Sequence, residues 1–263
     1  MREKILYGCS FVPYMTLQAE GFDMVSLYDL APGLYGGQKL GGNLCSFVQR
    51  CSQIDFSQFS GVILTNCCNS VQRLYDYIRF HYPKLFLYLL EIPRDRSGVN
   101  GYKSLFKSLK QYFRKEISEF AGRLPEKKES SGRCIQVVSS ALSKKYVQAL
   151  SEVFGGFYLK FSSCSSDCRG DRLLQHRQLA VSCPRRTDFY DWFETAVQWA
   201  IGVIYIVSQR CDHIMFPLPE LRALCRRQSR RMLFLEEEYT NKISESSRLR
   251  YEAFRECLLL ERR

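Results

Sequence analysis

Histidine is scarce in this chain. Only His81, His176 and His213 occur in 263 residues, so a metal site built mainly from imidazole is not expected. No Cys-x-x-Cys pair occurs, and the nearest spacing is Cys164-x-x-x-Cys168. That excludes the paired spacing of structural zinc sites and the runs of ferredoxins. No Gly-x-Gly-x-x-Gly follows a strand, and no phosphate loop of the Gly-Lys-Ser type is present. Gly36, Gly37, Gly41 and Gly42 resemble a phosphate cradle in composition only. No apolar run reaches the roughly 18 to 20 residues that span a bilayer. Met1–Gly8 lacks a basic region, an apolar stretch and a small-residue cleavage site, so no secretory leader and a cytoplasmic location are expected.

Cysteine, by contrast, is abundant, with twelve residues. In a reducing compartment these are not expected to form a disulfide framework. The expectation is that some bind metal and the rest are small buried hydrophobes. Hydrophobic residues make up 46% and charged residues 25%, the balance of a chain with a substantial core. The net charge is +11, which could attract an acidic or phosphorylated partner or serve solubility alone. Two basic runs carry part of it: Arg226, Arg227, Arg230 and Arg231, and Lys103, Lys107, Lys110, Arg114 and Lys115. The second alternates at helical spacing with Phe106, Leu109 and Phe113, as on a solvated helix face. No nucleic-acid motif accompanies either run, so no nucleic-acid partner is expected.

The segment 122–133, with its Pro, Gly, Ser and mixed charge, reads as a linker between an α/β domain over 1–121 and another over 134–263. Short apolar runs predict parallel strands at Lys4–Tyr7, Met24–Tyr28, Gly61–Leu64 and Leu85–Leu90, and at Cys134–Ser139, Phe157–Phe161, Leu179–Val181, Gly202–Val207 and Met232–Leu235. Helices are expected between them, at 69–82, 102–120, 144–154, 188–200, 219–227 and 247–261. "GVILTNCCN" at 61–69 and "GVIYIVSQRCD" at 202–212 echo one another, which suggests two similar halves. The fold class expected is α/β, two Rossmann-like parallel-sheet domains with a site at the carboxyl ends of the strands.

Cysteines cluster at those ends: Cys9 after the first strand, Cys67 and Cys68 after the third, Cys183 after a later one and Cys211 after the counterpart of the third. Cys45 lies in a glycine-rich loop. Thiolate ligands select iron–sulfur clusters, zinc or copper(I). Cys134, Cys225 and Cys257 fall within strand or helix patterns and are expected to be inert. A Cys211–His213 nucleophile is the rival chemistry, but neighbours on one loop rarely form a base–nucleophile pair.

At these cysteines the sequence resembles the 2-hydroxyacyl-CoA dehydratase family, which includes the double-cubane cluster proteins. "GCSFVP" at 8–13, "NLCSFVQRC" at 43–51, "CNSVQRLYDY" at 68–77, "LEIPR" at 90–94, "RCD" at 210–212 and "RLRYEAFRE" at 248–256 look like the family's motifs, in the same order. The resemblance implies a 4Fe-4S cluster held by Cys45, Cys68 and Cys211, with one iron open. Its alternative is a double-cubane 8Fe-9S cluster, with extra thiolates from Cys9, Cys67 and Cys183. It further implies an oxygen-sensitive, lyase-type radical dehydration of a 2-hydroxyacyl-CoA or a related low-potential reduction. The implied partners are an ATP-dependent iron–sulfur activator protein, a homologous subunit in a homo- or heterodimer, and an acyl-CoA substrate. Tyr14 and Met15 stand where the family often has an acidic residue, and Asn69 replaces the usual Asp. These departures, with a shorter middle, touch the dehydration more than the cluster. A non-catalytic cluster-binding paralogue and a metal-free binding module are the other readings. The last predicts that the site cysteines tolerate serine.

Overall fold

The structure, a computed structural model, describes residues 2–30, 40–92, 100–118, 134–164, 171, 183–184 and 188–260. The linker at 122–133 and the expected strand at Leu179–Val181 lie outside these residues. The first half holds β1 (Lys4–Tyr7), α1 (Tyr14–Ala19), β2 (Asp23–Ser26), α2 (Leu27–Leu30), α3 (Ser46–Cys51), β3 (Gly61–Thr65), α4 (Asn69–His81), β4 (Phe86–Leu90) and α5 (Asn100–Phe113). The second holds β5 (Cys134–Ser139), α6 (Lys144–Val153), β6 (Tyr158–Ser163), α7 (Phe189–Trp199), β7 (Gly202–Ser208), α8 (Asp212–Met215), α9 (Leu218–Arg227), β8 (Arg231–Glu237) and α10 (Glu245–Leu260).

Each half is a four-stranded, all-parallel sheet, ordered β2-β1-β3-β4 and β6-β5-β7-β8. The two orders are the same, so the internal echo read in the sequence corresponds to a repeated topology. Every residue of β3 and of β7 is buried. That explains their unbroken apolar runs: helices cover both faces of a parallel sheet, leaving no wet side to alternate toward. In the first sheet, Val62 and Leu64 face a core shared with α3 and α4, while Ile63 faces a core shared with α5. In the second, Ile204 and Ile206 pack with α6 and α10, and Val203, Tyr205 and Val207 with α7 and α9.

Several element boundaries differ from the sequence reading. The second strand ends at Ser26, and Leu27 and Tyr28 already belong to a helical turn. The long helix stops at Phe113 because Arg114 adopts φ 51, a left-handed conformation that ends the turn. Its apolar face is buried through Tyr102, Leu105, Phe106 and Leu109, with Lys103 and Lys107 exposed. Arg250 of the last helix donates to the Phe234 carbonyl at 2.9 Å, tying α10 to β8.

Gly61 opens β3 directly opposite Phe86 of β4. A Cβ there would lie 2.9 Å from the Phe86 ring, 3.0 Å from its Cβ and 3.2 Å from its carbonyl oxygen. Gly61→Ala is therefore expected to cost about 1–3 kcal/mol through overpacking. Urea unfolding should show this as a lowered midpoint with an unchanged slope.

Candidate functional site

Each sheet reverses its winding direction between two central strands, β1 and β3 in the first and β5 and β7 in the second. Loops leaving the carboxyl ends of such strands diverge and open a crevice. The two crevices face one another and enclose a single cavity, about 580 Å³ of space not filled by atoms, its mouth included. The first half contributes Cys9, Cys45, Cys67 and Cys68, with Tyr28, Phe47, Val71 and Ile92. The second contributes Cys164, Cys183 and Cys211, with Ser140, Ala141, Ser208, His213 and Ile214. All six cysteines singled out from the sequence thus meet here, joined by a seventh, Cys164. No carboxylate, lysine or arginine is among the described residues lining the cavity.

Local structure explains how the thiols are presented. Cys45, Cys68 and Cys211 occupy the position just before the first helical residue of α3, α4 and α8 respectively. The backbone N–H groups of a first turn have no partner within the helix and favour negative charge. Burial pushes the Cys45 thiol up to about 11, while hydrogen bonds from Val48 and Phe47 N–H pull the other way and the nearby Cys68 pushes up again. Burial pushes Cys211 up to about 12, with Cys45 and Cys68 adding to the rise and the Ile214 N–H opposing it. Cys45, Cys68 and Cys211 therefore form one mutually interacting set. Cys67 belongs to another. Its thiol is raised first by a hydrogen bond to Cys68, then by burial, then by Cys68, Cys9 and Cys164. Cys183 packs with Cys9, Phe11, Ile92 and Cys67 on that same side. Two thiol sets thus meet at the Cys67–Cys68 doublet.

Side chains and backbone from the two halves hold the walls together. Ser10 N–H donates to the Cys164 carbonyl at 3.0 Å, and Ser46 N–H to the Gln209 carbonyl at 3.1 Å. Tyr239 N–H donates to Ser46 Oγ at 2.9 Å, and the Tyr239 hydroxyl donates to the Tyr28 carbonyl. The Tyr28 hydroxyl in turn donates to the Gly8 carbonyl, beside Cys9. Lys144 pairs with Asp29 at 3.0 Å, and Arg50 with Glu238 at 2.8 Å.

Asp171 makes the most enclosed of these links. It is 1% exposed, and its carboxylate accepts from Thr16 N–H at 2.7 Å, Thr16 Oγ1 at 2.7 Å and Met15 N–H at 3.2 Å. Burial raises its carboxyl above the ordinary aspartate range, against the pull of those donors. The raised value means that folding favours the protonated form. Stability from this group is full below the unfolded aspartate pKa of about 3.9 and declines as pH rises through the folded value. Asp171→Ala should cost about 1–3 kcal/mol by stranding two buried donors of Thr16 and the part-buried Met15 N–H. The gap in urea stability between the native chain and Asp171→Asn, which cannot ionise, should narrow as pH rises through that window.

A cavity walled by thiols fits a thiophilic metal centre. Among the described residues no three His, Cys, Asp or Glu side chains stand close enough to hold one metal ion. The seven cysteines come from both halves and line one space. As neutral thiols the seven can share this low-dielectric space; as thiolates they would need compensating cations.

Cys134, Cys225 and Cys257, expected to be inert, lie on β5, α9 and α10 and do not line the cavity. Cys51 is fully buried in α3, behind Cys45. Cys168, Arg185 and Arg186 lie outside the described residues. The sequence reading missed Cys164, although it follows the β6 strand just as Cys9 follows β1. It also missed the wall residues Tyr28, Phe47, Ser140 and Ser208. Arg73 and Asp76 form an exposed pair at 3.5 Å on α4.

No protein-family model matches the chain, and no curated protein matches it. Fold and site together define a two-sheet α/β protein with a buried polythiol cavity between its halves.

Proposed function

We propose that this chain is an iron–sulfur redox protein whose centre sits in the seven-cysteine cavity and serves low-potential one-electron reduction. The observation that carries the reading is the convergence of seven thiols, with no carboxylate among the described lining residues, at the two facing switch points. Cys45, Cys68 and Cys211 would hold one part of the centre. Cys9, Cys67 and Cys164, with Cys183 beside them, would hold the other. When bound, such a centre supplies single electrons at low potential. The chain's own part is to exclude water with Tyr28, Phe47, Val71, Ile92 and Ile214, and to place three of the cysteines at the residue before a helix start.

Seven thiols exceed the three or four that a single cubane takes, which favours the double-cubane centre. The absence of lysine and arginine from the described lining disfavours the phosphates of an acyl-CoA. We therefore place the chain nearer the small-molecule reductases of the 2-hydroxyacyl-CoA dehydratase-like proteins than the dehydratases themselves. The homologous subunit and the ATP-dependent activator belong to the same proposal, as does a reducing compartment. No helix among the described residues is long and apolar enough to cross a membrane.

The test is anaerobic purification or reconstitution, with iron and acid-labile sulfide counted per chain. About eight irons support the double cubane, about four the single one. A chain that takes up neither iron nor sulfide overturns the reading.

A further inference from the structure

We propose that Ser140, Ser208 and Glu237, with Tyr146 and Tyr251 behind them, form a proton-entry route into the seven-cysteine cavity. The inference rests on the redox reading of that cavity. An electron delivered into this largely sulfur- and hydrocarbon-lined space, whose other polar groups are His213, Tyr28, Ser140 and Ser208, adds a charge that is poorly solvated there. A proton arriving with it cancels that charge, so the site needs a way in for protons.

The wall offers one. Ser140 and Ser208 line the cavity and are buried. Their hydroxyl oxygens lie 2.8 Å apart, with either able to donate, and Ser140 Oγ also accepts from Ser208 N–H at 2.7 Å. Ser208 and Ala141 are shared with a second, narrow space of about 10 Å³, the room of a single water, lined also by Tyr146, Glu237 and Thr240. Ser208 and Glu237 are register partners on β7 and β8, which in a parallel pair puts both side chains on one face of the sheet. The Ser208, Glu237, Tyr146 and Thr240 sides give that space the polar partners a bridging water requires.

Glu237 is half-buried and reaches the outer end of this line. The Tyr146 hydroxyl donates to Glu237 Oε2 and lies 2.9 Å from the Tyr251 hydroxyl, which is 3.5 Å from Oε1. Burial holds both tyrosines far above their ordinary range, so they stay hydroxyl donors to the carboxylate. The neighbouring charges are engaged elsewhere: Glu236 accepts from Arg210 N–H at 3.4 Å, Glu238 pairs with Arg50, and Arg250 donates to the Phe234 carbonyl.

The balance is simple. One electron from an external one-electron reductant enters the cavity. The Glu237 carboxylate takes one proton from solvent water and relays it through Ser208 and Ser140 to the reduced group, which returns Glu237 to its starting state, so no side chain is consumed.

The experiment uses the anaerobically reconstituted full chain, photoreduced by a flash, with proton uptake followed by a pH-indicator dye. The native chain should take up about one proton per electron. Glu237→Gln should slow uptake by about tenfold or more, with iron and sulfide content and the visible spectrum unchanged. Glu237→Asp, which keeps a carboxyl, should recover most of the native rate, a rescue that a purely structural role would not produce. Equal rates in native and variant chains, or no uptake in the native chain, overturn the route while leaving the redox reading in place. A native chain that holds no iron overturns both.

Discussion

Cys68→Ser is expected to strip at least about half of the iron from the chain while leaving it folded. Cys68 stands before the first residue of α4, is next to Cys67 in sequence and hydrogen-bonded to it, and interacts with both Cys45 and Cys211. It is therefore the point at which the two thiol sets join. Serine is a strong helix N-cap, so α4 should lose nothing by the change, yet a hydroxyl is a poor ligand for a metal that prefers soft sulfur. Cys225→Ser is the matching control. Cys225 is 1% exposed on α9 and packs among Val203, Tyr205 and Leu221. Its serine variant should keep all its iron and lose about 1–3 kcal/mol of stability, because a buried hydroxyl replaces an apolar thiol. Metal counting and urea unfolding on the two variants should show opposite losses. Equal iron in both would remove the cavity from consideration as the metal site.

Removal of the centre is expected to lower Tm by more than about 10 °C, since several kcal/mol of linked binding energy is lost and each shifts Tm by about 2–4 °C in a chain of this size. The reason lies in how the cavity is built. Cysteines of both halves line it, so a bound centre adds to the ties between two sheets that otherwise meet through the packing of Ala141 and Tyr239 on the first half's core, hydrogen bonds and exposed or half-exposed ion pairs. Surface pairs such as Arg50–Glu238 contribute only about 0–1 kcal/mol. The unfolded chain has no preformed site, so binding energy becomes folding energy. Anaerobic chelation followed by differential scanning fluorimetry should show the fall, and readdition of iron and sulfide should reverse it. An unchanged Tm on loss of all iron would mean that the metal sits elsewhere, on a surface that plays no part in joining the halves.

The sequence alone determined the parallel α/β architecture, because strand burial is a local property. "GVILT" and "GVIYIVS" are unbroken apolar runs only because each lies in mid-sheet with helices on both faces. The ends of those runs also located Cys9, Cys67, Cys68 and Cys211, since a ligand site in a parallel sheet lies beyond the carboxyl ends. The short helix α3 escaped notice: six residues show less than two turns of periodicity, and the glycine-rich stretch before it reads as loop. Which thiols share a space was a matter for tertiary structure. Cys9 meets Cys164 because Ser10 bonds the Cys164 carbonyl, and Cys45 meets Cys211 because Ser46 bonds Gln209 and Tyr239. Those contacts join residues more than a hundred positions apart, and nothing in the periodicity of either half encodes them. They arise from docking one sheet's switch point against the other's. The same docking brings Ser140 and Ser208 to the cavity wall, where two ordinary serines acquire the surroundings that make them candidates for moving a proton.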